Sequence, residues 1–235
     1  MTTHPSSPKT VLLVGASRGL GFAMVEELLK RGDKVVATGR ESSKDALYRL
    51  AEIYPDRLEV ETADITVPEQ VNGLYERLVD RRFDLLFINA GVKNDDRETI
   101  ADVSTEEFNR VMVTNALSPM RVVETFKELV TSAGTIGVMS SGQGSLTNNT
   151  NGKFEVYRAS KSALNMLMRS YAARNSDDAR TLLLMAPGWV RTELGGSEGR
   201  LSIEESIPNL LNTMAAYAGR SGLHYLDYLG KVVPW

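Results

Sequence analysis

Tyr157-Arg-Ala-Ser-Lys161 sets a phenol and an ammonium four residues apart, on one face of a predicted helix. A nearby ammonium favours phenolate over phenol and draws the tyrosine down from its ordinary value of about 10, which would make it a usable proton donor and acceptor. Alone the pair is a weak signal, since eight tyrosines give about 0.3 chance matches per chain. Its surroundings add to it. Ser140-Ser141 ends an apolar run at Met139 and opens a long connector to Tyr157, so a hydroxyl there can face the helix start. Asn89-Ala90-Gly91 and Asn115 border other predicted elements, where asparagine also serves as a plain cap or turn residue.

A second cluster, Gly15-Ala-Ser17-Arg18-Gly19-Leu20-Gly21, stands where a strand gives way to a helix. Glycines let the backbone turn sharply and approach a phosphate, and the unpaired amides of a helix start favour negative charge. The spacing, Gly-x-x-x-Gly-x-Gly, differs from the Gly-x-Gly-x-x-Gly of many dinucleotide sites. The flanking strand and helix nevertheless favour a pyrophosphate over an ordinary tight turn. The next strand ends in Ala37-Thr-Gly-Arg40, with no carboxylate at Thr38, Gly39 or Arg40. A carboxylate there would suit the ribose of NAD, whereas a cation suits the 2′-phosphate of NADP. Arg40 and Arg18 therefore point to NADP(H), and Glu41 leaves NAD(H) open.

These residues need a scaffold. Thr10–Val14 and Lys34–Thr38 read as strands around a helix over Leu20–Arg31, a βαβ unit. Further strands are expected at 58–60, 84–88, 135–139 and 181–185, with helices at 43–53, 68–80, 104–112, 116–131 and 157–175. Continuous apolar strands call for a sheet covered on both faces, hence an α/β, Rossmann-type doubly wound parallel sheet. Two polar connectors, 142–155 and 191–202, follow strand ends and are candidate rims of a site. Residues 1–9 read as a flexible tail, and 10–235 as a single domain.

Composition narrows the function classes. The 235 residues hold 27 Lys+Arg against 30 Asp+Glu, which is no footprint for a nucleic acid. The absence of cysteine removes disulfides, thiolate nucleophiles and Cys-ligated zinc. His4 and His224 have no carboxylate or second histidine at ligand spacing, so no metal is expected. No apolar run approaches the roughly 20 residues of a bilayer span, and the polar start is no signal peptide. A cytoplasmic protein with no membrane partner is expected.

In order and over nearly the whole chain, these motifs resemble the short-chain dehydrogenase/reductase family: Gly15/Gly19/Gly21, Asp64 in Ala63-Asp-Ile65, Asn89-Ala90-Gly91, Asn115, Ser141, Tyr157 with Lys161, and Pro187-Gly188. The Asn-rich insert 146–153, the run 157–165 and the ending Tyr228–Trp235 are similar to the subgroup of sniffer-type carbonyl reductases and C-factor signalling proteins. The resemblance implies about seven strands, a small carbonyl or alcohol substrate, and a homodimer or homotetramer. It implies that Tyr157 exchanges a proton with the substrate oxygen, that Ser141 holds that oxygen, and that Lys161 lowers the tyrosine pKa and holds the nicotinamide ribose. Asn115 would support a water leading to Lys161. Asp64 and Ile65 would meet the adenine; Ser17, Arg18, Leu20 and the glycines the phosphates; Asn89, Ala90 and Gly91 the cofactor's flank; Pro187, Gly188, Val190 and Thr192 its carboxamide end. The C-factor branch implies an alternative, a regulatory dinucleotide-binding protein with little turnover, and an NAD-dependent alcohol dehydrogenase is a further one. Val14 stands where the family often has threonine, and Ser141 precedes Tyr157 by 16 residues, a spacing that the insert accounts for. Trp189 either walls a substrate pocket or packs against the sheet.

Overall fold

The computed structural model describes residues 7–235; the first six residues of the tail expected over 1–9, with His4, lie outside the described residues. In chain order the elements are β1 (Thr10–Val14), α1 (Gly19–Lys30), β2 (Lys34–Gly39), α2 (Asp45–Ile53), β3 (Leu58–Thr62), α3 (Pro68–Leu78), β4 (Phe83–Ile88), α4 (Thr105–Met112), α5 (Ser118–Phe126), β5 (Val130–Met139), α6 (Glu155–Arg174), β6 (Thr181–Ala186), α7 (Ile203–Tyr217) and β7 (Gly222–Asp227). The strands form one seven-stranded sheet in the order β3-β2-β1-β4-β5-β6-β7. Every neighbouring pair is parallel.

Strand side chains alternate between faces, so each strand serves two cores. Val11 and Leu13 pack with Met24, Leu28, Leu47 and Leu210 beneath α1, α2 and α7. Leu12 and Val14 pack with Leu74, Phe126, Leu164 and Met168 beneath α3, α5 and α6. Burial on both faces is why the strands read as unbroken apolar runs.

Several boundaries differ from the sequence expectation, among them the end of α5 at Phe126 where the pattern predicts helix to 131. The break expected between helices 104–112 and 116–131 is a π-helical turn at Val113–Leu117, which joins α4 to α5 without a loop. A short 3-10 turn, Glu41–Ser43, precedes α2, so that helix starts at Asp45 and not at 43. β5 begins at Val130, ahead of the expected 135, and its register against β4 shifts between Phe83 and Leu85. Finally, α7 and β7 had no sequence prediction of their own. Pro208 lies inside α7 and breaks its helical signature. β7 begins with the exposed Gly222 and carries the partly buried His224, so its apolar run is short.

Gly137, in the middle of β5, faces Phe87 of β4, and a Cβ there would lie 2.6 Å from the Phe87 ring. Gly137→Ala is expected to lower stability by about 1–3 kcal/mol, as overpacking a filled core does. Urea unfolding of the variant against wild type checks this.

Candidate active site

The chain turns from β1 to β2 on one side and crosses to β4 on the other, so a crevice opens beyond the carboxyl ends of β1 and β4. The glycine cluster lies there. Gly15 has φ 83°, and a Cβ on it would sit 2.6 Å from the Ala90 nitrogen. Gly21 leaves no room for a side chain between the Gly15 carbonyl and the Asn89 amide. Asn89 closes the turn, donating from Nδ2 to the Gly15 carbonyl at 2.8 Å. Gly19, at φ 54°, has nothing within 4 Å of where a Cβ would stand. α1 has no side-chain cap and no acidic residue in its first turn, whereas Ser104 and Ser202 cap α4 and α7. Free amides beside an open approach can hold a dinucleotide's phosphates.

At the end of β2, the Thr38 hydroxyl accepts a hydrogen bond from the Gly15 amide at 3.1 Å. The Ser43 hydroxyl donates to Ser17 Oγ at 3.2 Å. Arg40 is exposed. Arg18, the second cation expected here, pairs instead with Glu193 across the crevice. A third cation, missed from sequence, is Lys44, whose Nζ lies 2.9 Å from Glu41 Oε2 and also donates to Thr62 Oγ1. Asp64 follows β3 and accepts at Oδ1 from the Thr66 amide and hydroxyl, while Ile65 is buried beside it.

The π turn points Asn115 inward, where it is fully buried. Its Oδ1 accepts from the Val92 amide at 2.8 Å, and its Nδ2 donates to the Val92 carbonyl at 2.7 Å and to Ser160 Oγ at 2.9 Å. Lys161 Nζ donates to the Met139 carbonyl at 2.9 Å and lies 5.9 Å from the centre of the Tyr157 ring. A Cβ on Gly91 would be 3.4 Å from Asn115 Oδ1 and 3.5 Å from Lys161 Nζ, so this residue borders both polar groups. Ser140 Oγ turns away, donating to Asn165 Oδ1 at 2.6 Å. Ser141 Oγ caps the next turn and stands against Tyr157. Asn115, Ser141, Tyr157 and Lys161 thus meet at one place.

The electrostatics correct one expectation. Burial pushes the Tyr157 phenol up to about 12, opposed by its hydrogen bond to Ser141, and Lys161 is not among the groups that move it. Burial likewise lowers Lys161 to about 8. Nζ is turned to a carbonyl, and desolvation is the largest cause acting on both groups.

Two connectors rim this place. The first is pinned to α6: Arg158 donates to the Lys153 carbonyl at 2.7 Å, and Ser162 to the Gly144 carbonyl at 2.9 Å. It ends on Phe154, at φ 60° the one non-glycine residue with positive φ among those described. Beyond β6, Ser206 donates to the Pro187 carbonyl at 2.7 Å, and a Cβ on Gly188 would strike Leu201. Val190 is buried against Leu201, and Thr192 Oγ1 accepts from Gly195. Trp189 is half exposed and donates to the Gly195 carbonyl at 2.8 Å, so it neither packs on the sheet nor stands free.

Residues 9–200 match the short chain dehydrogenase family. The chain belongs to the short-chain dehydrogenase/reductase family. It is 56% identical to a family protein from Burkholderia multivorans solved with bound NADP, with a TM-score of 0.95 over 97% of this chain and 100% of that one. It is 35% identical to a carbonyl reductase from Pseudomonas aeruginosa PAO1 in complex with NADP, with a TM-score of 0.90 over 97% and 100% of the two chains. Among curated proteins, 1-hydroxy-2-glutathionyl-2-methyl-3-butene dehydrogenase from Rhodococcus sp. strain AD45 is 32% identical over 96% of this chain and 99% of its own. No helix among the described residues is long and apolar enough to cross a membrane.

Beyond Lys44, this short-chain dehydrogenase places Tyr225 of β7 at the site, where its hydroxyl donates to the Ser141 carbonyl at 2.5 Å. Trp235 packs on it with ring centres 5.4 Å apart, and the Trp235 carbonyl accepts from Thr147 Oγ1 at 2.7 Å, tying the chain's last residues to the connector.

Lys161 falls from 10.5 in the unfolded chain to about 8 in the fold. Between these values the unfolded chain keeps a proton that the native state has released, so stability rises with pH there. Relative to Lys161→Met, wild type is expected to gain about 1–3 kcal/mol from pH 8 to 10.5 in urea unfolding. A difference that stays flat contradicts the buried ammonium.

Proposed function

We propose that the protein is an NADP(H)-dependent oxidoreductase that moves a hydride between the nicotinamide and a ketone or aldehyde, or the matching secondary alcohol. The observation that carries this is the meeting of Ser141, Tyr157, Lys161 and Asn115 beside the uncapped start of α1. When bound, a reduced nicotinamide supplies hydride for the carbonyl carbon. Ser141 holds the substrate oxygen, and the Tyr157 hydroxyl gives it a proton. A phenol held near 12 is fully protonated at neutral pH, the state that reduction requires. Lys161 sits where its ammonium can hold a ribose hydroxyl and return the proton to Tyr157. Asn115 clamps the Val92 main chain with both ends of its amide and so keeps the floor of the site rigid.

NADP in two of the similar structures supports the coenzyme reading, as do the cations Arg40 and Lys44 at the end of β2. The carbonyl reductase among the similar structures supports a carbonyl substrate. Exposed Leu117, at the end of the π turn, and Leu167 of α6 line one surface groove and support assembly of copies of the chain through that face.

Tyr157→Phe is expected to cut turnover of NADPH with a responsive ketone or aldehyde by on the order of 10²–10⁴-fold while NADPH binds within about twofold of wild type. An undiminished rate removes the tyrosine from the mechanism. Wild type with bound NADPH that stays silent across a broad panel of ketones, aldehydes and quinones supports the regulatory alternative instead. In titrations followed by fluorescence, NADPH is expected to bind at least about tenfold more tightly than NADH. Equal affinity contradicts the coenzyme assignment.

A further inference from the structure

We propose that Lys44 sets the choice of coenzyme, by drawing the Glu41 carboxylate off the adenosine ribose and so leaving the exposed Arg40 to meet a 2′-phosphate. This rests on the NADP(H) reading above. A carboxylate after the second strand of such a sheet accepts hydrogen bonds from the ribose hydroxyls and favours NAD, and a cation favours the 2′-phosphate. Glu41 is the one carboxylate between Thr38 and Lys44. Left free, it would serve the ribose and repel a phosphate.

The geometry keeps it occupied. Lys44 Nζ lies 2.9 Å from Glu41 Oε2, and the lysine side chain is 10% exposed against 81% for the glutamate. The lysine is therefore the fixed member and the glutamate follows it. Three features fix Lys44. Its ammonium donates to Thr62 Oγ1, on the residue paired with Gly39 across β2 and β3. It lies 5.3 Å from the centre of the Tyr48 ring. Its Cβ fills the space beside Gly39, where an added Cβ would be 3.1 Å from Lys44 and 3.2 Å from Ser17. Lys44, Gly39 and the glycine turn thus share one corner. The hydrogen bond to Glu41, and then that to Tyr48, raise the ammonium's pKa, so it stays charged. Arg18 is held by Glu193 on the far side of the crevice, which leaves Lys44 and Arg40 as the cations at the end of β2.

Dissociation constants for NADPH and NADH, measured by fluorescence on wild type, Lys44→Gln, Glu41→Gln and the double variant, test this. Lys44→Gln is expected to lower the preference for NADPH by on the order of tenfold, and adding Glu41→Gln to recover part of it. Glu41→Gln alone, at an exposed side chain that leaves the fold intact, is expected to tighten NADPH about two- to fivefold with NADH changed less. An equal loss of both affinities in Lys44→Gln, or a preference that does not move, overturns the inference while the coenzyme reading stands. So does Glu41→Gln that weakens NADH alone, because the carboxylate would then be serving the ribose. Wild type without any preference for NADPH overturns the coenzyme reading and the inference with it.

Discussion

Lys161 carries its ammonium to a place where 3% of the residue meets solvent, and its hydrogen bond goes to a neutral carbonyl at Met139. A buried cation without a carboxylate is costly, so it persists only where surrounding structure holds it and where something else gains from it. Much of the upper sheet reads as that support. Gly91 borders both Lys161 and Asn115, the π turn rotates Asn115 inward, and Ser160 joins Asn115 to the same helix that carries Tyr157 and Lys161. Irregular turns of this kind inside helices recur at functional sites.

A second constraint meets the first from the opposite side of β4. The glycine turn presents unpaired amides at the start of α1, and Asn89 at the end of β4 locks that turn through the Gly15 carbonyl. The next residues, Ala90 and Gly91, lead directly to the lysine and asparagine. A single strand end therefore sets the distance between where a dinucleotide's phosphates can rest and where a proton can be passed. This is why one parallel sheet, with nothing added, can serve both ends of the chemistry.

The sheet was readable in the sequence wherever strands are buried on both faces, because such strands are apolar at every position. β7, opening at an exposed glycine, and α7, interrupted by Pro208, lacked the periodicity that identifies the other elements. The pairing of Tyr157 with Lys161 and the glycine cluster stand out in the sequence because each is a pattern of local spacing. Ser141 over Ser140 is explained by Asn165, a partner 25 residues away that takes the Ser140 hydroxyl. Tyr225 could not be read, since its contact with Ser141 spans 84 residues; Lys44 pairs with Glu41 three residues away, but the Thr62 hydroxyl that helps to fix it lies on another strand. The ion pair of Arg18 with Glu193 was hidden for the same reason, spanning 175 residues.

The account turns on a charged Lys161 beside a protonated Tyr157. Single-turnover reduction of a reactive ketone, followed by stopped flow from pH 6 to 10 in wild type and Lys161→Met, tests it most directly. The wild-type rate is expected to fall as pH passes about 8, where the ammonium loses its proton, and the slow variant to show no break there. The same break in both proteins would contradict the account.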